Sequence, residues 1–149
     1  IVEYFRRIKK LIIPETTAEQ LKIQLGTAVP KKDIRSMTVS GRNTDTGHLQ
    51  QIEITSEEVG LAMNSSLQEI IFAIHKAIEN TPPELVSDII EQGIVLAGGG
   101  ALIRDFALRI ENEVRLPVKV AENPLTAIAK GGEMVLIDSD LLEKIQLDS

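Results

Sequence analysis

The sequence contains no cysteine and no tryptophan. Without cysteine there are no disulfide bonds, thiolate zinc sites or thiol nucleophiles. The chain also lacks a surplus of basic residues, because 16 Lys and Arg stand against 22 Asp and Glu and give a net charge of −6. Nucleic-acid binding depends on clustered Lys and Arg at the phosphates. We therefore expect no nucleic acid among its partners.

Long hydrophobic runs are absent as well. A run such as Ile94–Ala97 falls far short of the roughly 20 residues that cross a bilayer, and no signal-peptide pattern opens the chain. The 149 residues are 43% apolar, enough for the core of one domain or two small subdomains. We expect a soluble, cytoplasmic protein. Because a helical pattern over Ile1–Ile12 starts at the first residue, we also expect the chain to be a piece of a longer protein.

A second helix is indicated by its capping pattern. Thr16 with Glu19, or Thr17 with Gln20, has the spacing of a capping box, in which two side chains satisfy the free N–H groups of a helix start. The helix is predicted to end at Gly26, in the left-handed conformation that glycine often adopts there.

A β-hairpin and a further helix are predicted next. Apolar and polar residues alternate over Ile34–Arg42 and Leu49–Thr55, on either side of a Gly-containing loop at Asn43–Gly47. Thr55–Glu58 is typical of a helix N-terminus, and the helix that follows is predicted to have a soft break at Asn64–Ser66.

The chain changes character at the proline pair in Thr81–Glu84, where we predict a subdomain boundary and a short helix that ends at Gly93. Strands and helices then alternate, which predicts an α/β layer with parallel strand pairing. The predicted elements are a strand at Ile94–Ala97, a helix at Ala101–Val114, a strand at Pro117–Ala121 and a helix at Pro124–Ile137. The amphipathic stretch Leu141–Ile145 is predicted to dock or fray.

The most informative feature is the glycine run Gly98–Gly100 between the first of these strands and its helix. Glycine lets backbone approach a ligand closely, and a helix start leaves N–H groups free for polar ligand atoms. The run is neither a Walker A loop nor a dinucleotide fingerprint, since Ile103 stands where the third fingerprint glycine belongs. From the residues alone, a nucleotide contact and a merely tight strand-to-helix turn both remain open.

No catalytic or metal constellation is evident. His48 lies at the hairpin and His75 on a helix, and neither has a second ligand at metal spacing, so structural histidines are favoured. The carboxylates are typical of helix starts and solvated faces, and no nucleophile has an evident base. The residues indicate an α/β chain with one candidate ligand-binding turn.

Six spaced motifs resemble the MreB family of bacterial actin-like rod-shape-determining proteins, in order along nearly the whole chain. They are Thr17–Ile23, Gly41–Asn43, Thr81–Leu85, Leu96–Leu102, Leu116–Val118 and Ala121–Thr126. The sequence departs from the family pattern at Ala97, where Thr is usual, at Asn123, where Asp is usual, and at Gly132-Glu133, where small residues are commoner.

The resemblance implies an α/β fold of the actin-like ATPase (ribonuclease H-like) class, of which this chain is the C-terminal half. Residues 1–80 would form the small outer subdomain, IIB, with helices and a hairpin. Residues 81–149 would form the second part of the larger inner subdomain, IIA, and carry the glycine turn. The phosphate loops of the family have no counterpart here, so the chain alone should not hydrolyse ATP.

The resemblance also implies an adenosine half-site for ATP or ADP, with Mg²⁺ held through the phosphates and not by this chain. The residues that it implicates are Glu19, Gln20, Leu21 and Lys22 on one side, and Gly98, Gly99, Gly100, Ala101 and Leu102 on the other. Glu19 and Lys22 are one helical turn apart and share a face. They would contact the ribose hydroxyls and the base edge, or they form an ordinary ion pair.

The family's biology implies filaments of the intact protein, association with the membrane, and membrane-anchored partners in cell-wall synthesis and cell shape. Two alternatives stay open. One is another ATPase of the actin, Hsp70 and sugar-kinase superfamily, and the other is a non-enzymatic interaction module. If the chain is a half, the strands near Ile94–Ala97 and Val118–Ala121 should have an exposed sheet edge, through which it could self-associate.

Overall fold

The computed structural model of the protein describes residues 1–30, 33–138 and 142. The predicted amphipathic stretch Leu141–Ile145 lies outside them, apart from Leu142. The helices are α1 (Val2–Ile8), α2 (Glu15–Leu25), α3 (Ser56–Glu79), α4 (Pro83–Gln92), α5 (Phe106–Val114) and α6 (Ala127–Ile137), with a short 3₁₀ helix at Gly99–Leu102. The strands are β1 (Leu11–Ile12), β2 (Ser36–Asn43), β3 (Leu49–Thr55), β4 (Ile94–Leu96) and β5 (Val118–Val120).

The first sheet is antiparallel, with the order β1-β2-β3. Its β2–β3 register, from Ser36 opposite Thr55 to Arg42 opposite Leu49, confirms the predicted hairpin. The predicted helix over Ile1–Ile12 is wrong over its last four residues, because α1 ends at Ile8 and β1 pairs with β2. Leu11 is completely buried there, so core packing overrides the helical pattern.

The predicted ends of the second helix are also corrected. Helix α2 begins directly after Pro14 and has no side-chain cap, so neither proposed capping box forms. Gly26 has φ −55° and ψ 133°, which is not left-handed. Glycine is needed there for space, because a Cβ atom would lie 2.2 Å from the carbonyl oxygen of Lys22.

Helix α3 has the predicted N-terminus but not the predicted break. The Thr55 side chain accepts from the Glu58 N–H, and the Glu58 side chain accepts from the Thr55 N–H, which completes a capping box. The helix then runs unbroken past Asn64–Ser66. Met63 and Leu67 are both buried on either side of that point, so packing of one continuous face outweighs the weak local propensity.

One hydrophobic core joins α1, α2, α3 and the hairpin to α5. Its largest fully buried side chains are Phe5, Leu11, Leu21, Val39, Ile54, Val59 and Ile110. Ile110 lies on α5 and belongs to the C-terminal α/β segment, so that segment packs on the N-terminal elements. The boundary proposed at residue 81 stays a prediction.

The second sheet consists of β4 and β5, which pair in parallel as predicted, with Ile94 opposite Val118 and Leu96 opposite Val120. Among the described residues the outer edge of each strand is unpaired, which agrees with the expected exposed edge. The predicted helix at Ala101–Val114 is corrected to a 3₁₀ helix followed by α5, because the left-handed backbone of Asp105 separates them. Helix α4 ends at Gly93 as predicted.

Candidate functional site

Helix α2 places Glu19 and Lys22 on a cleft of about 510 Å³ that lies between α1, α2 and α3. The cleft is lined by Ile1, Val2, Glu3, Glu15, Ala18, Glu19, Lys22, Ala62, Met63, Ser66, Leu67, Ile70 and Ile103. Such a volume lies within the range of about 300–1,000 Å³ that is typical of small-ligand sites.

The Glu19 and Lys22 side chains share a helix face as predicted, and they also form an ion pair, with 2.6 Å between Lys22 Nζ and Glu19 Oε2. Their side chains are 55% and 35% exposed, respectively. A partly exposed pair of this kind adds little to stability. Both groups can therefore exchange their mutual contact for a ligand without a large cost to the fold.

The two residues between them have other positions. Gln20 is exposed and Leu21 is fully buried in the core. Neither is among the described residues that line the cleft. Of the four predicted residues on α2, the structure brings Glu19 and Lys22 to the cleft, while Leu21 anchors the helix that carries them.

The glycine turn has an unusual backbone and an open surface. Gly98 has φ 81° and ψ 175°, a conformation that is almost confined to glycine. Its N–H donates to the Pro124 carbonyl over 2.7 Å. A Cβ atom built on Gly98 or on Gly100 would meet nothing within 4 Å among the described residues. The turn thus leaves room for close approach of a ligand. Ala101 is buried, and Leu102 is exposed.

The glycines themselves lie outside the cleft lining formed by the described residues, but Ile103, which follows the 3₁₀ helix, belongs to it. The next residue, Arg104, forms an isolated parallel β-bridge with Thr27, just beyond the end of α2. The segment after the glycine turn and the segment after α2 are therefore in direct contact.

The lining of the cleft contains more carboxylates than cations. Three carboxylates, those of Glu3, Glu15 and Glu19, line it together with one lysine, Lys22. Glu3 pairs with Arg7 over 2.5 Å and Glu19 pairs with Lys22, so two of the three carboxylates are balanced by a cation. Carboxylates accept hydrogen bonds from hydroxyl groups and repel phosphates. The carboxylates of the cleft can therefore accept hydrogen bonds from the hydroxyl groups of a ligand.

A second cavity, of about 460 Å³, lies between the chain after α2, the start of α3 and α5. Its lining is Thr27, Ala28, Val29, Pro30, Ile34, Ser56, Glu57, Gly60, Leu61, Asn64, Arg109, Asn112 and Glu113. None of these residues was predicted as part of a site. They come from three distant segments that carry no shared motif, so no local signal could have found them.

The described residues contain neither a cluster of metal ligands nor a membrane-spanning helix. Among residues 1–30, 33–138 and 142, no group of three or more His, Cys, Asp or Glu side chains is placed to hold a metal ion. Within the same residues, no helix combines the length and the apolar character needed to cross a membrane.

The sequence is similar to known proteins over nearly its whole length. The family described as MreB/Mbl protein matches residues 1–144. The cell shape-determining protein MreB of Escherichia coli K12 is 42% identical over 136 residues, which are 91% of this chain and 39% of that protein. The cell shape-determining protein Mbl of Bacillus subtilis is 37% identical over 147 residues, which are 99% of this chain and 44% of that protein. The chain thus spans less than half the length of these relatives.

Solved structures are similar as well. MreB5 of Spiroplasma citri bound to AMPPNP matches with a TM-score of 0.87 and 31% identity, over 100% of this chain and 44% of that chain. The same protein bound to ADP also has a TM-score of 0.87, with 32% identity over 98% of this chain and 44% of that chain. A MamK double helical filament matches with a TM-score of 0.63 and 23% identity, over 81% of this chain and 37% of that chain, and indicates the fold alone.

Proposed function

Because this chain belongs to the MreB/Mbl family and has part of the actin-like α/β fold, we propose that it supplies the adenosine side of an ATP or ADP site in a bacterial actin-like cytoskeletal ATPase. The observation that carries the proposal is that the Glu19–Lys22 pair and Ile103 line one cleft. Ile103 directly follows the 3₁₀ helix of the glycine turn, so the cleft lies next to that turn. The similarity to MreB5 structures bound to AMPPNP and ADP supports it.

In this proposal the two sides of the site act differently. The Glu19 carboxylate accepts hydrogen bonds from the ribose hydroxyls, and the Lys22 ammonium donates to the base edge. Gly98 to Ala101 form the opposing backbone wall, where the lack of side chains permits close approach of the adenosine. Gln20, Leu21 and Leu102 flank these groups, with Leu21 acting through packing.

The phosphates and their Mg²⁺ lie beyond this chain in the proposed complex. The phosphates and the ion would be held by loops from the remainder of the protein, so we propose that this chain alone binds nucleotide without hydrolysing it.

For the whole protein we propose the biology of a cell shape-determining filament. It would polymerise in the cytoplasm at the membrane, with itself and with membrane-anchored cell-wall synthesis and shape proteins as partners. The names of its MreB and Mbl relatives support this role. Membership of the MreB/Mbl family favours this filament role over the role of an Hsp70 chaperone or a sugar kinase. Within the described residues the outer edges of β4 and β5 are unpaired, so we also propose that this chain can associate with itself through them.

A titration of the chain with ATP, ADP and adenosine tests the half-site. If this chain contacts only the ribose and base, all three ligands should bind weakly and with similar affinity. Backbone NMR shifts should concentrate at Glu19, Lys22 and Gly98 to Ala101.

Matched variants sharpen this test. Glu19→Gln and Lys22→Gln should each weaken binding at least fivefold, whereas Glu79→Gln and Lys76→Gln should not, because these two are exposed on α3 outside the cleft. Absence of binding at millimolar ligand, or equal loss in the control variants, would show that this chain does not hold an adenosine site.

A further inference from the structure

The segments that follow the two proposed walls of the adenosine site are joined by a short strap, which we define as Thr27, Ala28, Arg104 and Asp105. Thr27 and Arg104 form a parallel bridge, and the Ala28 N–H donates to the Arg104 carbonyl over 2.9 Å. The Thr27 hydroxyl lies 3.3 Å from Asp105 Oδ2 and is on a residue only 6% exposed. The strap therefore connects the end of α2 to the chain that leaves the glycine turn.

Arg109 ties this strap to α3. Its Nη1 donates to the Ala28 carbonyl over 3.1 Å, and its Nη2 donates to Asn64 Oδ1 over 2.8 Å. Phe106 and Ile110 on the same helix are buried, so α5, which carries Arg109, is held in place by the core. A planar guanidinium with two engaged nitrogens sets a defined geometry between the groups that it bonds.

Arg109 lies outside the cleft that Glu19 and Lys22 line. Its guanidinium nitrogens Nη1 and Nη2 are engaged by Ala28 and Asn64, so its effect on nucleotide binding would pass through the positions of other residues. The strap is the short structural route, since it is bonded to Arg109 on one side and continues into both proposed walls.

We infer that Arg109 is a positioning residue for nucleotide binding, which sets the spacing between α2 and the glycine turn through the strap. The inference rests on the proposed adenosine half-site. A ligand that must touch both walls binds only the fraction of molecules with the correct spacing, and its apparent affinity falls in proportion to that fraction. Loss of Arg109 lowers the fraction without removing any group that touches the ligand.

The test compares Arg109→Gln with Arg42→Gln, which makes the same charge change on an exposed side chain of the hairpin. Arg109→Gln should weaken ADP binding about tenfold, which corresponds to a competent fraction of about one tenth. Arg42→Gln should bind as the unchanged chain does. Arg109→Lys keeps the charge and can restore only one of the two bonds, so its affinity should lie between the two.

A disulfide across the strap fixes the spacing without Arg109. Because a cross-link also stabilises the folded state, ADP affinities are compared only under conditions where circular dichroism shows every variant to be fully folded. Bridged residues on neighbouring strands are about 4.8 Å apart, which lies inside the range of about 4.4–6.8 Å between Cα atoms that a disulfide spans. Because the chain has no cysteine, Thr27→Cys with Arg104→Cys introduces one unique pair. In the Arg109→Gln background, the oxidised form should recover ADP affinity to within about twofold of the same variant pair with Arg109 intact, and reduction should abolish the recovery.

Hydrogen exchange at the Ala28 amide separates this inference from the proposed function. In the unchanged chain this amide is bonded to Arg104 and should be protected, and Arg109→Gln should reduce its protection. If the protection falls but neither the unchanged chain nor any variant binds ADP, the proposed adenosine half-site is wrong, while the structural contact of Arg109 with the strap is confirmed. Two results would overturn the inference. One is unchanged protection of the Ala28 amide in Arg109→Gln. The other, if the unchanged chain binds ADP, is equal ADP affinity of the oxidised and reduced forms of the cysteine pair in the Arg109→Gln background.

Discussion

Removal of the charge of Glu58 should loosen α1 from α3, two of the helices that border the cleft lined by Glu19 and Lys22. Lys9, directly after α1, donates to Glu58 Oε1 near the start of α3. Glu58 Oε2 at the same time accepts from the Thr55 N–H over 2.8 Å as part of the capping box. Glu58→Gln keeps an oxygen for the cap and removes the ion pair, whereas Glu58→Ala removes both.

The expected magnitude follows from partial burial. The side chains of Lys9 and Glu58 are 28% and 23% exposed. Hydrogen bonds to charged groups contribute about 1.5–3 kcal/mol when buried, and exposed ion pairs about 0–1 kcal/mol. We expect an interaction free energy of about 1–1.5 kcal/mol between Lys9 and Glu58. Glu58→Ala should lower the free energy of unfolding by about 1 kcal/mol more than Glu58→Gln does, because the alanine variant also loses the helix cap.

The pH dependence has a defined sign. Burial by itself raises the pKa of Glu58, but the hydrogen bonds from Lys9 and Thr55 outweigh it and lower this pKa below its ordinary 4.5. The hydrogen bond to Glu58 raises the pKa of Lys9 above 10.5, against the opposing effect of burial. The stabilisation is therefore fully present between these two ordinary values. It is lost as pH falls through the lowered pKa of Glu58 or rises through the raised pKa of Lys9.

A double-mutant cycle in urea measures this interaction, with Glu58→Gln, Lys9→Met and the double variant compared in their free energies of unfolding. The cycle should be repeated below the ordinary pKa of Glu58, where the interaction free energy should shrink. An interaction below about 0.3 kcal/mol at neutral pH would refute the reasoning, because it falls within the usual error of additivity. So would an interaction that does not change in acid.

Two further predictions concern the proposed site. Leu21→Ala should destabilise the fold by about 2–5 kcal/mol in urea unfolding, since truncation of a completely buried leucine leaves a cavity. The control Ile23→Ala changes a residue of the same helix that is 72% exposed, and it should cost less than about 0.5 kcal/mol. Similar losses in the two variants would mean that α2 is not packed as described. Gly98→Ala should cost about 1–3 kcal/mol because of its positive φ, while Gly100→Ala, with equally open space around its Cβ, should change stability by less than about 1 kcal/mol. Equal stabilities of these two glycine variants, measured by urea unfolding, would argue against the strained turn.

Much of the fold could be predicted because its signals are local. The alternation of polar and apolar residues predicted the hairpin, Thr55 and Glu58 predicted the start of α3, and Gly93 predicted the end of α4. The alternation of strands and helices after Ile94 predicted the parallel pair β4–β5. For the candidate site, helical spacing was sufficient to place Glu19 and Lys22 on one face.

Errors occurred where distant residues outweighed local preference. A capping box at Thr16 or Thr17 had the right spacing, but α2 already begins after Pro14. The polar stretch Asn64–Ser66 had the composition of a break, yet the buried face of α3 carries the helix through it.

The sequence by itself determined the order of most elements, the family, and the residue types available to the proposed adenosine half-site, since periodicity, turn chemistry and motifs are properties of neighbouring residues. Tertiary structure decided that Leu11 leaves the helix to pair with β2, that Leu21 is buried while Lys22 reaches the cleft, and that Thr27 meets Asp105 across 78 positions. The physical reason is that burial and long-range hydrogen bonds depend on which segments meet in space, and no short window of sequence records that meeting.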